Sequence, residues 1–524
     1  MKRKISNLSL ESNFALVLII YSVLGIFLLK YYQYQIDPDG ISYIGIAQKY
    51  LKGDIDNAIN AYWGPLLSWL LMPFLSFGLK PLFAGKLLNL LLGLVAIIGL
   101  RSLSYRFEMA DRIRSAIFFS LIPIVLFFST FWITSDLLLA TVLVYYLNVI
   151  FDLGYPDSIY NGVLCGALGG IAYLCKTYAF PFFILHFFIF NVFHYLRIKR
   201  KKVLLNFILG VLIFLIISGC WSLIISNKYK EFTIGSSPEF NKVTVGPGPK
   251  SGVHPMYYQG FFKPTNDTAI SVWEDPTYLI KTMKPWSPLE SWNSFKHQLT
   301  IIKDVLYHTV LIYSDFSTLA IAIIIAYILF CVSTYRIQLL SNDLLFPLIT
   351  VIIYPLGYTL ALVEARYLWI VDFLLLLMGG YTLNVLFKYT FFTETIKKVT
   401  LAFFILSFIA VPTKKLIRNI NTGEKIHNIY KELDSRYNID GNVAANGDWV
   451  NSLHLSYYLD VSYYGTPREN ISSKELKKEL EKNNIDYYIV WDGERDDAQL
   501  LSNYKELTDN EISSLQIYSL KEKL

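Results

Sequence analysis

"YYQYQIDPDGISYIGIAQKYLKGD" (residues 31–54) follows directly on the first long apolar run of the chain, within "MKRKISNLSLESNFALVLIIYSVLGIFLL" (1–29). The run has the length of a membrane span. It starts basic and no small-residue cleavage site follows, so it reads as a retained span and not as a removed signal peptide. Asp37 and Asp39 therefore stand where the chain leaves a bilayer, a costly place for a carboxylate unless it is solvated, paired or used. Asp37 followed by Pro38 is a helix start, with Asp as N-cap and Pro as the first helical residue. Asp39 then falls in the first turn, where the helix dipole favours an anion. Tyr43, Ala47 and Tyr50 continue along its face.

Outward from this stretch, the chain of 524 residues is 54% hydrophobic and 17% charged, against about a quarter charged in soluble proteins. The apolar excess lies in blocks near 13–31, 82–100, 115–133, 136–153, 159–175, 178–196, 203–225, 316–335, 343–362, 367–388 and 399–412. This predicts an α-helical polytopic membrane protein of about 11 spans. "PLLSWLLMPFLSFGL" (65–79), with Pro65 and Pro73, reads as a half-embedded helix. If it does not cross, "MKRK", "RSLSYRFEMADRIR", "RIKRKK" and "KYTFFTETIKK" share one face, which the positive-inside rule makes cytoplasmic. Only "TKKLIR" (413–418) then falls on the wrong side. The net charge of +6 is thus a topology signal and not a nucleic-acid footprint. Cys165, Cys175, Cys220 and Cys331 lie in apolar stretches without metal spacing and read as buried thiols.

Two parts lie outside the spans, which with their loops occupy residues 1–412. The outer loop 226–315 is rich in Gly, Pro and aromatic residues and predicts irregular backbone on the membrane surface; a loop this long is usually functional or disordered. The tail from 413 to 524 predicts a small soluble α/β domain. "KIHNIYKELDSRY" and "SKELKKELEKN" read as amphipathic helices, and "NVAAN", "VSYYG" and "DYYIVWD" as short strands.

The topology sorts the polar residues onto one face. Asp37 and Asp39 in the first outer loop (32–64), Asp136 in "ITSDLLLA", Lys176 in "YLCKTYAFP", and Glu364 and Arg366 in "LVEARYLW" are all outer. Each has a structural explanation: capping for Asp37 and Asp136, snorkelling for Lys176, a surface ion pair for Glu364 and Arg366. Together, two cations and several carboxylates on one membrane face suit an anionic, membrane-borne phosphate. In "VWEDPT" (272–277), Trp273 is a candidate for stacking on a sugar and Glu274 or Asp275 for binding hydroxyls, and a solvated turn explains them equally well.

In this order the motifs resemble the GT-C class of membrane glycosyltransferases, in the branch of protein O-mannosyltransferases and lipid A aminoarabinose transferases. Asp39, Tyr43 and Ala47 match the acidic motif of the first outer loop, and "YWGPLLSWLLMPFLSFGL" matches the half-embedded helix. "TSDLLL" matches the outer Asp before a span. Gly166, Gly169 and Gly170 ahead of Lys176 match a small-residue-rich span ending in Lys, and Arg366–Tyr367 the later Arg-Tyr motif. Gly40 stands where the family has a second carboxylate, with Asp37 two residues upstream as a possible substitute; this leaves metal use open and no cofactor is indicated.

The resemblance implies transfer of a sugar from a polyprenyl-phosphate carrier to an acceptor lipid, glycan or protein at the outer face of a plasma membrane. Asp39 is then the general base and Asp37 or Asp136 a second acid. Lys176 and Arg366 hold the donor phosphate, and Glu364, Tyr43 and Tyr367 orient them. A lipid-linked sugar flippase, and a polymerase or ligase of surface polysaccharide, are the competing readings. The first should place its polar groups near the bilayer midplane in broken helices and repeats.

Overall fold

The computed structural model describes residues 2–335, 344–491, 498–508, 512 and 515–523. The chain opens with α1 (Lys2–Tyr32), α2 (Pro38–Lys52), the single turn α3 (Ile55–Ala58) and α4 (Pro65–Ser76). Six helices follow: α5 (Pro81–Ser104), α6 (Asp111–Phe131), α7 (Asp136–Ile150), α8 (Tyr160–Cys175), α9 (Ala179–Ile198) and α10 (Lys201–Tyr229). After the short α11 (Ser237–Thr244) and α12 (Thr277–Ile280) come α13 (Trp292–Phe316), α14 (Ala320–Tyr335), α15 (Leu345–Leu356), α16 (Trp369–Leu386) and α17 (Glu394–Arg418).

Each apolar run of the sequence falls on one of these helices. Seven of them (α1, α5, α6, α9, α10, α16 and α17) are long and apolar enough to cross a membrane. The runs on α7, α8, α14 and α15 give helices of 12 to 16 residues. The C-terminal ends of α1, α6 and α8 and the N-terminal ends of α7 and α16 meet at one end of the bundle, where every charged turn singled out above is found. Both ends of α4 lie there too: Gly64 packs on the Cys175 carbonyl, and α4 leads straight into the start of α5. It does not traverse the bundle.

Helices α8 and α10 touch through their backbones. A Cβ on Gly166 would lie 2.1 Å from the carbonyl oxygen of Gly210, and one on Gly162 2.3 Å from that of Asn206. Small residues four apart allow this approach, which van der Waals packing rewards in a lipid environment. The contact also fixes where α8 ends, and so where Lys176 emerges.

Three expectations are corrected. The outer loop is not irregular throughout: it holds α11 and α12, and Trp292–Phe316 is a 25-residue helix. Its buried side chains Ile301, Val305, Thr309 and Tyr313 recur every four residues, a stripe too narrow to register as an apolar run. It turns into α14 with a bend of 104°. "TKKLIR" is no loop: it forms the last turns of α17, where Lys415 pairs with Asp315 at 3.0 Å. Cys220 is exposed on α10, whereas Cys165, Cys175 and Cys331 are buried.

The C-terminal part contains α18 (Glu424–Arg436), β1 (Asn442–Ala445), α19 (Trp449–Leu459), β2 (Ser462–Tyr463), α20 (Ser473–Lys482), β3 (Tyr487–Trp491), α21 (Ala498–Leu501), β4 (Tyr504–Glu506) and β5 (Leu515–Lys523). The sheet order is β2-β1-β3-β5-β4. The three strands read from sequence run parallel, and β5 joins β3 and β4 antiparallel. The domain sits on the same end of the bundle. Phe262 N–H donates to the Tyr464 carbonyl at 2.7 Å and Tyr463 N–H to that of Ile270 at 2.7 Å, while the Tyr458 hydroxyl reaches the Tyr34 carbonyl.

Gly166→Val forces α8 and α10 apart, an overpacking of about 1–3 kcal/mol or more. The expected result is a lower thermal unfolding midpoint in detergent than that of Gly219→Val, since a Cβ at Gly219 meets no atom within 4 Å.

Candidate active site

The site starts at the turn between α1 and α2. Asp37 adopts extended backbone and its Oδ1 accepts the Gly40 N–H at 2.8 Å, so it is the N-cap of α2. Its Oδ2 is buried without a hydrogen-bond partner among the described residues. Burial first, and then the neighbouring Asp39 charge, push its carboxyl up to about 7, against the pull of Arg366, Lys86 and the Gly40 amide.

Asp39, in the first turn of α2, has both oxygens engaged. Oδ2 pairs with Arg366 Nη2 at 2.7 Å, and Oδ1 accepts the indole N–H of Trp273 at 3.1 Å. Arg366 Nε in turn faces Glu364 at 2.8 Å and Asp136 at 3.6 Å. Asp136 binds Lys176 Nζ at 2.6 Å and the Thr134 hydroxyl at 2.8 Å. The Tyr367 hydroxyl donates to Glu364 at 3.1 Å, and Lys176 Nζ lies 3.5 Å over the Tyr367 ring. The Tyr43 hydroxyl reaches Ser135 at 3.0 Å, beside Asp136. The four turns read from sequence thus form one ion network of three carboxylates and two cations. It opens toward Glu364, whose side chain is 45% exposed against 3% for Asp136.

Local structure places each member. Lys176 is the C-cap of α8 and turns extended, which ends the helix. Arg366 sits in a 3-10 turn, Ala365–Leu368, between the broken α15 and the start of α16. Asp136 opens α7 after an extended break at Trp132, whose ring lies 5.2 Å from the Arg366 guanidinium. That break is held by two polar side chains inside α5. Lys86 Nζ reaches the Thr130 carbonyl at 2.6 Å, and Asn89 the Trp132 carbonyl at 2.5 Å. Sequence reading missed both, although a lysine inside the apolar run 82–100 was a signal in itself.

Glu274 and Asp275 do not join the network. Glu274 forms a buried ion pair with Lys49 of α2, and Asp275 accepts the Tyr229 hydroxyl at 2.5 Å with Lys228 3.8 Å away. Burial pushes both carboxyls up, with Lys49 opposing it at Glu274 and Tyr229 and Lys228 at Asp275. Trp273 is buried among Tyr62, Trp63, Phe240 and His254. Asp39, Asp136 and Glu364 are each tied to a cation, and among the described residues no three His, Cys, Asp or Glu side chains gather with metal-ligand geometry.

The fold is that of the GT-C class of membrane glycosyltransferases. No protein-family model and no curated protein matches the chain by sequence, so the likeness is one of structure. ArnT from Cupriavidus metallidurans in the apo state superposes with a TM-score of 0.59 at 13% identity, over 97% of this chain and 98% of that one. The same enzyme bound to undecaprenyl phosphate gives 0.57 at 13% identity, over 96% and 97%. The oligosaccharyltransferase of Archaeoglobus fulgidus gives 0.54 at 13% identity, over 94% of this chain and 73% of that chain.

Two outcomes follow from the buried charges. Glu274→Ala strands the Lys49 ammonium, at a cost of about 3–5 kcal/mol. Replacing both (Lys49→Met with Glu274→Leu) recovers most of that loss in thermal unfolding. For Asp37, the raised native value means that its contribution to stability is present at acidic pH and lost as pH rises through about 7. Asp37→Asn keeps an oxygen for the Gly40 amide and removes that loss. Its unfolding midpoint should match wild type near pH 4, at about the unfolded carboxyl value, and exceed it by about 2 °C or more near pH 8.

Proposed function

We propose that this protein transfers a sugar from a polyprenyl-phosphate carrier to an acceptor hydroxyl or amine at the outer membrane face, with Asp39 as general base and Lys176 and Arg366 as the phosphate-binding cations. The observation that carries this reading is the direct pairing of Asp39 with Arg366 inside one network that also holds Lys176, at the charged end of a GT-C fold. An enzyme of this fold captured with undecaprenyl phosphate supports a polyprenyl phosphate as the carrier.

This reading gives the events an order. Arg366 uses Nη2 on Asp39 and Nε on Glu364 and Asp136, so the guanidinium edge best suited to bidentate phosphate binding is the one that Asp39 occupies. Donor phosphate takes that edge and Lys176, and Asp39 Oδ2 is released. The acceptor then attacks the anomeric carbon while Oδ2 takes its proton. The bond from that carbon to the phosphate oxygen breaks, and polyprenyl phosphate leaves with its new charge met by Lys176 and Arg366. A single displacement inverts the anomeric configuration. Glu364 and Tyr367 keep Arg366 oriented, and Asp136 keeps Lys176 in place.

Purified wild type is to be incubated with a panel of labelled polyprenyl-phosphate sugars and membrane extract, reading release of polyprenyl phosphate and transfer of label. Asp39→Asn should lose about 10²–10⁴-fold in kcat/KM while still binding the donor. Lys176→Met should lose donor binding as well. Turnover that survives in Asp39→Asn refutes the base assignment, and donor binding without turnover in any protein favours a flippase.

A further inference from the structure

We infer that Trp273 is a positioning residue for Asp39, clamped from one side by the first outer loop and from the other by the C-terminal domain, so that all three parts of the chain build the active site. The inference rests on the transfer reading above, in which Asp39 is the base.

The turn Val272–Glu274 is fastened to α2 far more tightly than a solvated turn needs. The Trp273 carbonyl accepts from the Ser42 hydroxyl at 3.0 Å and the Trp63 indole at 3.3 Å. The Glu274 carbonyl accepts from Asn60 at 2.7 Å, and its side chain pairs with Lys49. Gly45 completes the seat, because a Cβ there would lie 2.6 Å from the Glu274 carboxylate. Asp275 ties the same turn to the end of α10 through Tyr229. With the turn so held, the Trp273 indole N–H meets Asp39 Oδ1.

The second side of the clamp comes from beyond the last span. Trp449, the first residue of α19, stacks on His254 with ring centres 5.1 Å apart and planes 5° apart. His254 packs edge-on against Trp273 at 4.4 Å, and Trp449 itself reaches the Trp273 ring at 6.4 Å. Burial pulls His254 down to about 4, so its ring is neutral between pH 5 and 8 and acts by packing. When Arg366 moves to the donor phosphate, Trp273 is the partner that Asp39 keeps. It holds the carboxylate by Oδ1 and leaves Oδ2 to receive the acceptor proton.

A donor on a carboxylate favours its charged form, so losing the indole N–H makes Asp39 easier to protonate. The charged and titratable groups around Asp39 are Arg366, Glu364, Asp136, Asp37, Tyr43 and Tyr62, and Trp273→Phe changes none of them. The test compares full-length wild type, Trp273→Phe, Trp449→Phe and Asp39→Asn between pH 5 and 8. It reads kcat, donor KM and the acid limb of kcat/KM. Trp273→Phe should lower kcat about tenfold and leave donor KM within about twofold, while its acid limb moves up by roughly one pH unit. Trp449→Phe should shift the limb in the same direction by less. An unmoved limb in Trp273→Phe overturns the inference even if kcat falls, because packing alone would do that. An unmoved limb in Trp449→Phe overturns the part played by the C-terminal domain. Asp39→Asn that keeps both turnover and the acid limb instead refutes Asp39 as base, which is a separate failure. If Trp273→Phe does not fold, benzothienylalanine at position 273, which has the indole shape without the N–H, gives the same reading.

Discussion

A buried guanidinium must be surrounded by acceptors or it does not stay buried, and Arg366, with its side chain only 12% exposed, draws on three. Asp39, Asp136 and Glu364 come from the start of α2, the start of α7 and the break before α16. Much of the bundle can be read as what is needed to bring those three turns together. α15 stops early, so that residues 357–368 fold back over the end of the bundle. α6 ends at an extended residue, and its last carbonyls are taken by Lys86 and Asn89 from the middle of α5.

The members of this network were legible in the sequence for a simple reason. In a chain with so few charges, those that recur at the ends of apolar runs on one face stand out without any structure. What could not be read was which of them touch. Asp136 with Lys176, and Asp39 with Arg366, are 40 and 327 residues apart, and only packing brings such pairs together. The same limit applies to "VWEDPT", where one reading gave Glu274 and Asp275 to a sugar and the other made them a solvated turn. Their partners Lys49, Lys228 and Tyr229 lie on other segments, and the fold turns the motif into an anchor. Helix α13 escaped for a different reason: its buried stripe is one residue in four, and period, not average hydrophobicity, would have found it. The strands β4 and β5 escaped because the segment from 498 on is polar between its apolar positions, and no continuous apolar run marks it.

The network also constrains the chemistry through its charge. Three carboxylates and two cations leave an excess of one negative charge. The phosphodiester of the proposed lipid-linked sugar donor would bring one more, and a low-dielectric site does not accept it by simple addition. Exchange is the cheaper course: a carboxylate gives up its cation to the phosphate. Asp136 is the least able to do so, being buried and held by Lys176 and Thr134 as well. Glu364 sits on Nε, away from the edge that a phosphate grips with two oxygens. Asp39 is left, and it is the residue proposed as the base.

Seen this way, the Asp39–Arg366 pair of the resting site is a safeguard as well as a scaffold. In the proposed reaction, a free carboxylate base here would be ready to activate water on any sugar that entered. Paired with arginine its Oδ2 is occupied, and in the proposed reaction that oxygen is freed when a phosphate of the right geometry takes the arginine away. On the proposed reading the same displacement would neutralise the leaving group and uncover the base, so neither would be ready without the other. One cation cannot serve both anions at once, and that is enough to order donor binding before acceptor activation.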